Sequence, residues 1–249
     1  MQPDPDHFDD ETWAGRDVLW VSDERLPDAG DLWRRLYGSR AETGLCPLLL
    51  DTLGCGTDRP WHSRELSPAP VGPIDTLTAA EVLRGLWDAF AEEPEEGEEG
   101  GPPDISTAAW PGPAASGEGG GDPDEVACAL ASVLGAARPW LVGLVPAARG
   151  ADTLTFVGWE GPINHIDNPQ ELSVVLRSWE DRFGARVVAV GFDTLHLSVA
   201  APPTTFEHAV HVAGEHHAFA PDGVWQGCGT LEEYAKGLVG ADHWSFWWD

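Results

Sequence analysis

The chain has 249 residues, of which 42% are hydrophobic, and it contains 13 tryptophans. This length suits one large domain or two small ones with a proper buried core, so folding requires no disulfide or metal staple. The formal net charge of −28, from 42 acidic and 14 basic residues, argues against direct binding of DNA or RNA, because such binding depends on Lys and Arg neutralising phosphates.

Half of the acidic residues lie in two stretches that are rich in Pro and Gly. Residues 1–31 hold ten of them and residues 92–125 hold eleven. We therefore expect an acidic tail at 1–16 and a flexible linker or surface excursion at 92–124, because these stretches have too few apolar groups to fold alone. The remaining parts are an N-terminal α/β region at 17–91 and a C-terminal domain at 125–249. The sequence leaves open whether the N-terminal region joins the C-terminal sheet.

Cysteine spacing and the N-terminal residues favour the cytoplasm. The four cysteines are scattered, which is typical of a reduced compartment; they are Cys46, Cys55, Cys128 and Cys228. Residues 1–6 have neither the basic nor the apolar region of a secretory signal. The apolar stretch 126–148 is interrupted by Arg138-Pro139, so we predict a buried helix followed by a buried strand and no membrane span. We predict no cofactor.

In the N-terminal region the pattern predicts a short strand at 17–21, a helical segment at 31–37 and a strand at 44–50. Thr78 and Glu81 form a capping box, in which each side chain satisfies a free backbone N–H at the start of a helix. Leu83, Leu86, Trp87 and Phe90 then recur at helical spacing. A helix over 79–91 follows.

The C-terminal part predicts eight elements in the order β-β-α-β-β-α-α-β. Strands are expected at 140–145, 153–159, 186–190, 194–199 and 243–248, and helices at 169–183, 205–219 and 231–239. Asn168, Thr204-Thr205 and Thr230 supply the helix caps. This order favours an α+β fold, with a mostly antiparallel sheet and helices packed on one face. Alternation places Trp244, Phe246 and Trp248 on one face of the final strand.

Several strings of the C-terminal part together resemble the bacterial domain of unknown function family 4253, over about 140–249. They are Gly143-Leu144-Val145-Pro146, Gly158-Trp159, Leu176-Arg177-Ser178-Trp179-Glu180-Asp181-Arg182-Phe183-Gly184-Ala185, Ala201-Pro202-Pro203, Glu215-His216, Pro221-Asp222, Gln226-Gly227 and Phe246-Trp247-Trp248-Asp249. The resemblance implies fold and boundaries, but no activity is established for the family. Ala220 stands where members often have Cys, which puts a thiol nucleophile in doubt here.

The helix predicted at 205–219 carries a polar stripe. Glu207, His208, His211 and Glu215 fall within an arc of about 100° when each residue turns the helix by 100°. Two His and carboxylates at this spacing suit metal ligands, but a solvated helix face has the same pattern. Because no second ligand-bearing motif accompanies the stripe, we predict no metal site. His217 lies on the apolar side, as a core histidine would.

The polar residues within the family strings are the candidates for a catalytic site. Glu215 and His216 suit acid and base roles, and Arg177 suits the holding of an anionic group, if the three converge on one cleft. The alternative is a structural network, since Arg177 precedes Asp181 by four residues, a spacing typical of ion pairs on a helix. No P-loop, G-x-G-x-x-G, G-x-S-x-G or H-E-x-x-H string supports nucleotide, dinucleotide, serine-hydrolase or zincin chemistry.

Other residues are candidates for contacting a ligand or partner. Asn164 and His165 follow Trp159 in a loop, and loops on rigid scaffolds often carry function. Trp159 or Trp225 is suited to wall a cleft, because Trp is prominent among interface hot spots. The predicted binding residues are Trp159, Asn164, His165, Glu180, Arg182, Asp222, Trp225, Gln226 and Asp249.

Two functions fit these observations. The first is a non-enzymatic intracellular protein-binding module, for example of the neutralising or immunity type, whose acidic, Trp-bearing surface attracts a basic protein partner. The second is a small-molecule enzyme that uses Glu215, His216 and Arg177. The excess of charge and the lack of a catalytic motif favour the first.

Overall fold

The computed structural model describes residues 16–54, 56–91 and 110–249. Within these ranges the strands are β1 (Trp20–Val21), β2 (Cys46–Leu50), β3 (Leu141–Val145), β4 (Arg186–Val190), β5 (Thr194–Ser198) and β6 (His243–Trp247). The α-helices are α1 (Ala29–Gly38), α2 (Arg40–Thr43), α3 (Ala79–Ala91), α4 (Pro123–Ala137), α5 (Thr153–Val157), α6 (Pro169–Phe183), α7 (Phe206–Phe219) and α8 (Leu231–Leu238).

Three shorter helical segments connect these elements. They are the 3₁₀ turns Gly72–Thr76 and Gly150–Asp152 and the π-helical segment Gly223–Cys228. The predicted acidic tail up to residue 15, the predicted linker over 92–109, Cys55 and the side chain of Phe90 lie outside the described residues.

The strands form one six-stranded sheet in the order β1-β3-β2-β4-β5-β6. All neighbouring pairs are antiparallel except β2 and β4, which run parallel. The predicted α+β class with a mostly antiparallel sheet is therefore confirmed. Strand β2 lies between β3 and β4, with Leu48 opposite Gly143 and Leu49 opposite Ala189. The N-terminal region thus supplies an inner strand of the sheet.

Helices cover both faces of the sheet. The helices of the predicted C-terminal order, α6, α7 and α8, pack on one face as predicted, and α1 and α4, which lie outside that order, cover the other. Leu49 faces a cluster formed by Trp33 of α1 and Ala131 of α4. Leu48 and Leu50 belong to the larger cluster, which includes Trp179 of α6. All five residues of β2 are buried, as expected for an apolar strand with helices on both sides.

The strand predicted at 153–159 is also wrong, because residues Thr153–Val157 form helix α5. The β-branched and aromatic residues of this segment favour a strand by propensity, but tertiary burial overrides that preference. Gly158 ends the helix in the left-handed conformation, at φ 67°, and its N–H donates to the Leu154 carbonyl. A Cβ at Gly158 would lie 1.8 Å from the Ser67 carbonyl carbon, so the close approach of the 67–68 backbone also requires glycine.

The predicted helix caps and the predicted core are confirmed. Side chains of Thr78, Asn168, Thr205 and Thr230 accept hydrogen bonds from backbone N–H groups in the first turns of α3, α6, α7 and α8. Burial is complete or nearly so for the expected core side chains, which are Leu172, Val175, Trp179, Trp244, Phe246 and Trp248.

The stretch 126–148 contains most of α4 followed by β3. Within the described ranges, no helix combines the length and apolar character needed to cross a bilayer.

Candidate functional site

Glu215 of α7 is the centre of a buried polar network. Its side chain has no exposed surface, and each of its oxygens accepts from one terminal nitrogen of Arg182 at 2.7 Å. The Trp179 indole donates to one oxygen at 2.7 Å, and the Ala114 backbone N–H donates to the other at 2.6 Å. This carboxylate therefore has four donors, and it joins α6 to α7.

The same network holds the segment 110–122 against the helices. Arg182 donates to the Ala114 carbonyl at 2.9 Å, and the Gly117 N–H donates to the Arg182 carbonyl at 2.9 Å. His208 bonds through Nε2 to the Ala115 carbonyl at 2.9 Å. This end of the predicted linker packs on the core, and Arg182 acts as its anchor.

His216 is enclosed by aromatic rings. It is fully buried, and its ring centroid lies 4.4 Å from Trp244, 4.8 Å from Phe246 and 5.0 Å from Trp179. Nδ1 lies 3.2 Å from the Tyr234 hydroxyl. Burial and, to a smaller extent, the charge of Arg182 lower the pKa of His216 to about 3, so this imidazole is neutral at pH 7.

Arg177 has different partners from Glu215 and His216. Its Nε and Nη2 donate to the two oxygens of the buried Asp152, at 2.6 and 2.8 Å, and its Nη1 donates to the exposed Asp75 at 2.6 Å. The bonds to Asp152 raise the pKa of Arg177 above its ordinary value. The burial of Glu215 and His216, together with this separate pairing of Arg177, contradicts the prediction that the three act on one substrate.

Arg177 instead borders a shallow groove of about 350 Å³ between α6 and the segment before α3. Arg149 and Arg182 also line it, and both are paired with carboxylates: Arg149 with Glu180 and Asp181, and Arg182 with Glu215. Glu180, a predicted binding residue, also accepts from the Ala151 N–H at 3.0 Å. The groove's arginines therefore serve as bridges between helix α6 and its neighbours.

Five of the predicted binding residues do meet, and we call them the C-terminal polar cluster: Asn164, His165, Asp222, Gln226 and Asp249. The buried Asp222 carboxylate lies 3.1 Å from His165 Nε2 and accepts from the Asp249 N–H at 3.0 Å and from Gln226 at 3.3 Å. Asn164 donates to the Asp249 carbonyl at 2.9 Å. Residues from three separate parts of the chain thus converge on one buried carboxylate.

Two members of the C-terminal polar cluster are preceded in the chain by exposed apolar residues. Ile163, which precedes Asn164, is 51% exposed, and Trp225, which precedes Gln226, is 36% exposed. Trp225 and Gln226 belong to the π-helical segment, a form that is frequent at functional sites. The sequence holds no local signal for it.

Trp159 lies largely in the core, and its remaining surface lines a small pocket of about 110 Å³ together with Arg59 and Ile163. It is 2% exposed, donates to the Gly191 carbonyl at 2.9 Å and packs edge to face on Trp248 with ring centroids 5.6 Å apart. The Trp159 ring therefore packs between the loop 160–165 and the core.

Sequence reasoning missed one pair of side chains. His196 Nδ1 on β5 and His243 Nε2 on β6 lie 3.1 Å apart, brought together by strand register. Burial lowers the pKa of His196 to about 4 and also lowers that of His243. Within the ranges that the structure describes, no group of three or more His, Cys, Asp or Glu side chains is placed to hold a metal ion.

The fold and these contacts define an α+β protein in which five of the predicted binding residues meet around Asp222 and Asp249. Residues 141–249 match the family model "Domain of unknown function (DUF4253)", so the C-terminal part of the chain carries this domain, as its strings predicted. The matched segment begins at β3 and does not include β2. Comparisons with curated proteins and with solved structures found no match to the chain.

Proposed function

We propose that this protein is a non-enzymatic, intracellular protein-binding module. Its docking face consists of the C-terminal polar cluster together with Ile163 and Trp225. The partner is a basic protein, and binding of the neutralising or immunity type fits such an arrangement.

The observation that carries the proposal is the convergence of predicted binding residues beside exposed apolar side chains. Asn164 and Gln226 both bond to Asp249, so the two backbone segments that carry the exposed Ile163 and Trp225 are linked through this residue. Interfaces commonly combine an aromatic anchor with surrounding hydrogen-bonding groups that are already held in place. The internal bonds of the cluster reduce the entropy that binding would cost.

Charge supports a basic partner. The docking face carries the exposed side chain of Asp249, and the whole chain has a net charge of −28. Such a field accelerates encounters with positively charged surfaces and repels acidic ones. The enzymatic alternative is less well supported, because Glu215 and His216 have no exposed surface from which to reach a substrate.

The intracellular part of the proposal rests on cysteine chemistry. Cys46, Cys128 and Cys228 are all free thiols. Burial raises the pKa of Cys46 to about 11, so this thiol is kept protonated and unreactive. Unpaired cysteines are typical of a reducing compartment.

The test is affinity capture with the full chain from a lysate of the host cells, at low and at moderate salt. We expect a basic protein to be retained by the wild type, to be released as salt rises, and to be lost with the double variant Ile163→Asp, Trp225→Ala. The matched control is Trp20→Ala, since Trp20 is 43% exposed but lies on β1, at the opposite edge of the sheet. Equal capture by the wild type and the double variant, or capture of no basic protein, would contradict the proposal.

A further inference from the structure

His196 and His243 lie side by side on the outer part of the sheet. They occupy neighbouring strands, with His196 opposite Ser245 and Ser198 opposite His243 in the register of β5 and β6. By alternation they face away from Leu195, Leu197, Trp244 and Phe246, which point into the main core. Both histidine side chains are half-buried and the neighbouring Ser245 is exposed, so solvent reaches this pair.

The separation of the two ring nitrogens matches that of two ligands on one metal ion. Bonds of about 2.0–2.1 Å place adjacent nitrogen ligands about 2.9 Å apart at a right angle and about 3.3 Å apart at the tetrahedral angle. The observed distance between His196 Nδ1 and His243 Nε2 is 3.1 Å. Because the two strands belong to one hydrogen-bonded sheet, this spacing is held before any ion arrives.

The surroundings leave the pair available. Within the described residues, neither ring forms a hydrogen bond other than the one between them. The nearby Arg138 is compensated, since it lies 2.6 Å from Asp51 and stacks over Trp140 at 3.7 Å. Trp140 in turn packs edge to face on His196, with ring centroids 6.4 Å apart, and fixes the plane of that ring.

We propose that His196 and His243 form a binding site for a divalent late transition-metal ion, and Zn²⁺ and Ni²⁺ are among the ions that imidazole ligands suit. The two facing nitrogens now share one hydrogen atom. On binding, the donor ring carries that hydrogen on its other nitrogen, so that both facing nitrogens present lone pairs and no proton need be released.

The site leaves part of the coordination sphere open. Among the described residues no third His, Cys, Asp or Glu side chain completes it. Water, or a donor group of a bound molecule, fills the remaining positions. None of the contacts that support this metal site involves the C-terminal polar cluster. The inference therefore does not depend on the proposed function.

Calorimetric titration of the full chain with ZnCl₂ and then with NiCl₂ tests the site. We expect binding of one ion per chain by the wild type, and affinity at least about tenfold weaker in His196→Gln and in His243→Gln, because each removes one of two ligands. The control His211→Gln removes an exposed histidine of α7 and should bind as the wild type does.

A measurement on the wild type guards against variants that fail to fold. In ¹⁵N spectra of the histidine rings, one equivalent of Zn²⁺ should shift the ring nitrogens of His196 and His243 and leave those of the buried His216 unchanged. The proposal is overturned if no ion binds, if the ring signals of His196 and His243 do not move, or if folded His196→Gln and His243→Gln bind as the wild type does.

Discussion

Arg182 and Glu215 form a bidentate ion pair in which both nitrogen–oxygen distances are 2.7 Å and the carboxylate is completely buried. The pair links α6 to α7, and through the backbone of Ala114 it also fixes the segment that precedes α4. Both members lie within the segment 141–249 that matches the family model, and their role in this chain is structural. A buried charge that loses its partner destabilises the folded state, and the first prediction follows from this.

Removal of either member should be strongly destabilising. Arg182→Met and Glu215→Met each leave a buried charge without its partner, and we expect each to lower the free energy of unfolding by about 3–5 kcal/mol. The double variant should cost less than the sum of the two, because it removes both charges. Urea denaturation followed by Trp fluorescence measures all three. The pair is not coupled as described if the losses of the two single variants add up to that of the double variant, or if a single variant loses less than about 1 kcal/mol.

Replacement of glycine at the contact between α1 and α4 should destabilise the protein. A Cβ at Gly30 would lie 2.5 Å from the Ala131 carbonyl oxygen, and one at Gly135 would lie 2.6 Å from the Gly30 nitrogen. We expect Gly30→Ala to destabilise the protein by about 1–3 kcal/mol, because the two helices must move apart. The matched control is Gly85→Ala in α3, where nothing lies within 4 Å. There the helix propensity of Ala should raise stability by up to about 1 kcal/mol. Thermal denaturation distinguishes the two signs.

The free energy of unfolding should decrease as the pH is lowered through the range in which histidines titrate. Burial lowers the pKa of His216 to about 3 and those of His217 and His196 to about 4. In the unfolded chain their pKa is about 6.5. As the pH falls from about 6.5 towards 4, the unfolded state takes up protons that the folded state does not, so the free energy of unfolding decreases. Above pH 6.5 this contribution is fully present.

Urea denaturation at several pH values between 7.5 and 4.5 measures this dependence. His217→Phe keeps an aromatic ring beside Trp87 and removes one titrating group, so its profile should be shallower by up to about 1.4 kcal/mol per pH unit. A wild-type stability that does not change over this range would contradict the assigned directions.

The family-matched segment should not fold by itself. Strands β3 and β4 both belong to residues 141–249, but they are joined only through β2, which lies outside the match. Without β1 and β2 the fragment leaves β3 with no strand partner and β4 with one unpaired edge, and it exposes apolar side chains such as Val142 and Val188. We expect a fragment of residues 141–249 to be unfolded or aggregated by circular dichroism and gel filtration. The full chain is the control and should be folded, and a folded, monomeric fragment would refute this account.

Local patterns predicted much of the fold. Capping residues such as Thr78 and Asn168 bond to backbone N–H groups two or three residues away, and the apolar stripe of α6 repeats within one helix. Both features can be predicted because they involve residues that are close together in the sequence. The same holds for the alternation that buries Trp244 and Phe246. The propensity of residues 153–157, in contrast, was overridden by burial, and Gly158 was the only local sign of a helix end.

Contacts between distant parts of the chain were decided only by the tertiary structure. Arg182 and Ala114 meet Glu215, and His165 and Asp249 meet Asp222, through backbone paths that no short-range pattern encodes. Sequence patterns predicted most of the helices, the apolar side chains that become buried and the family that the C-terminal part resembles. Whether a polar residue of that family is buried in an ion pair or presented at a surface depended on strand order, because only the packed sheet fixes which helices and loops become neighbours.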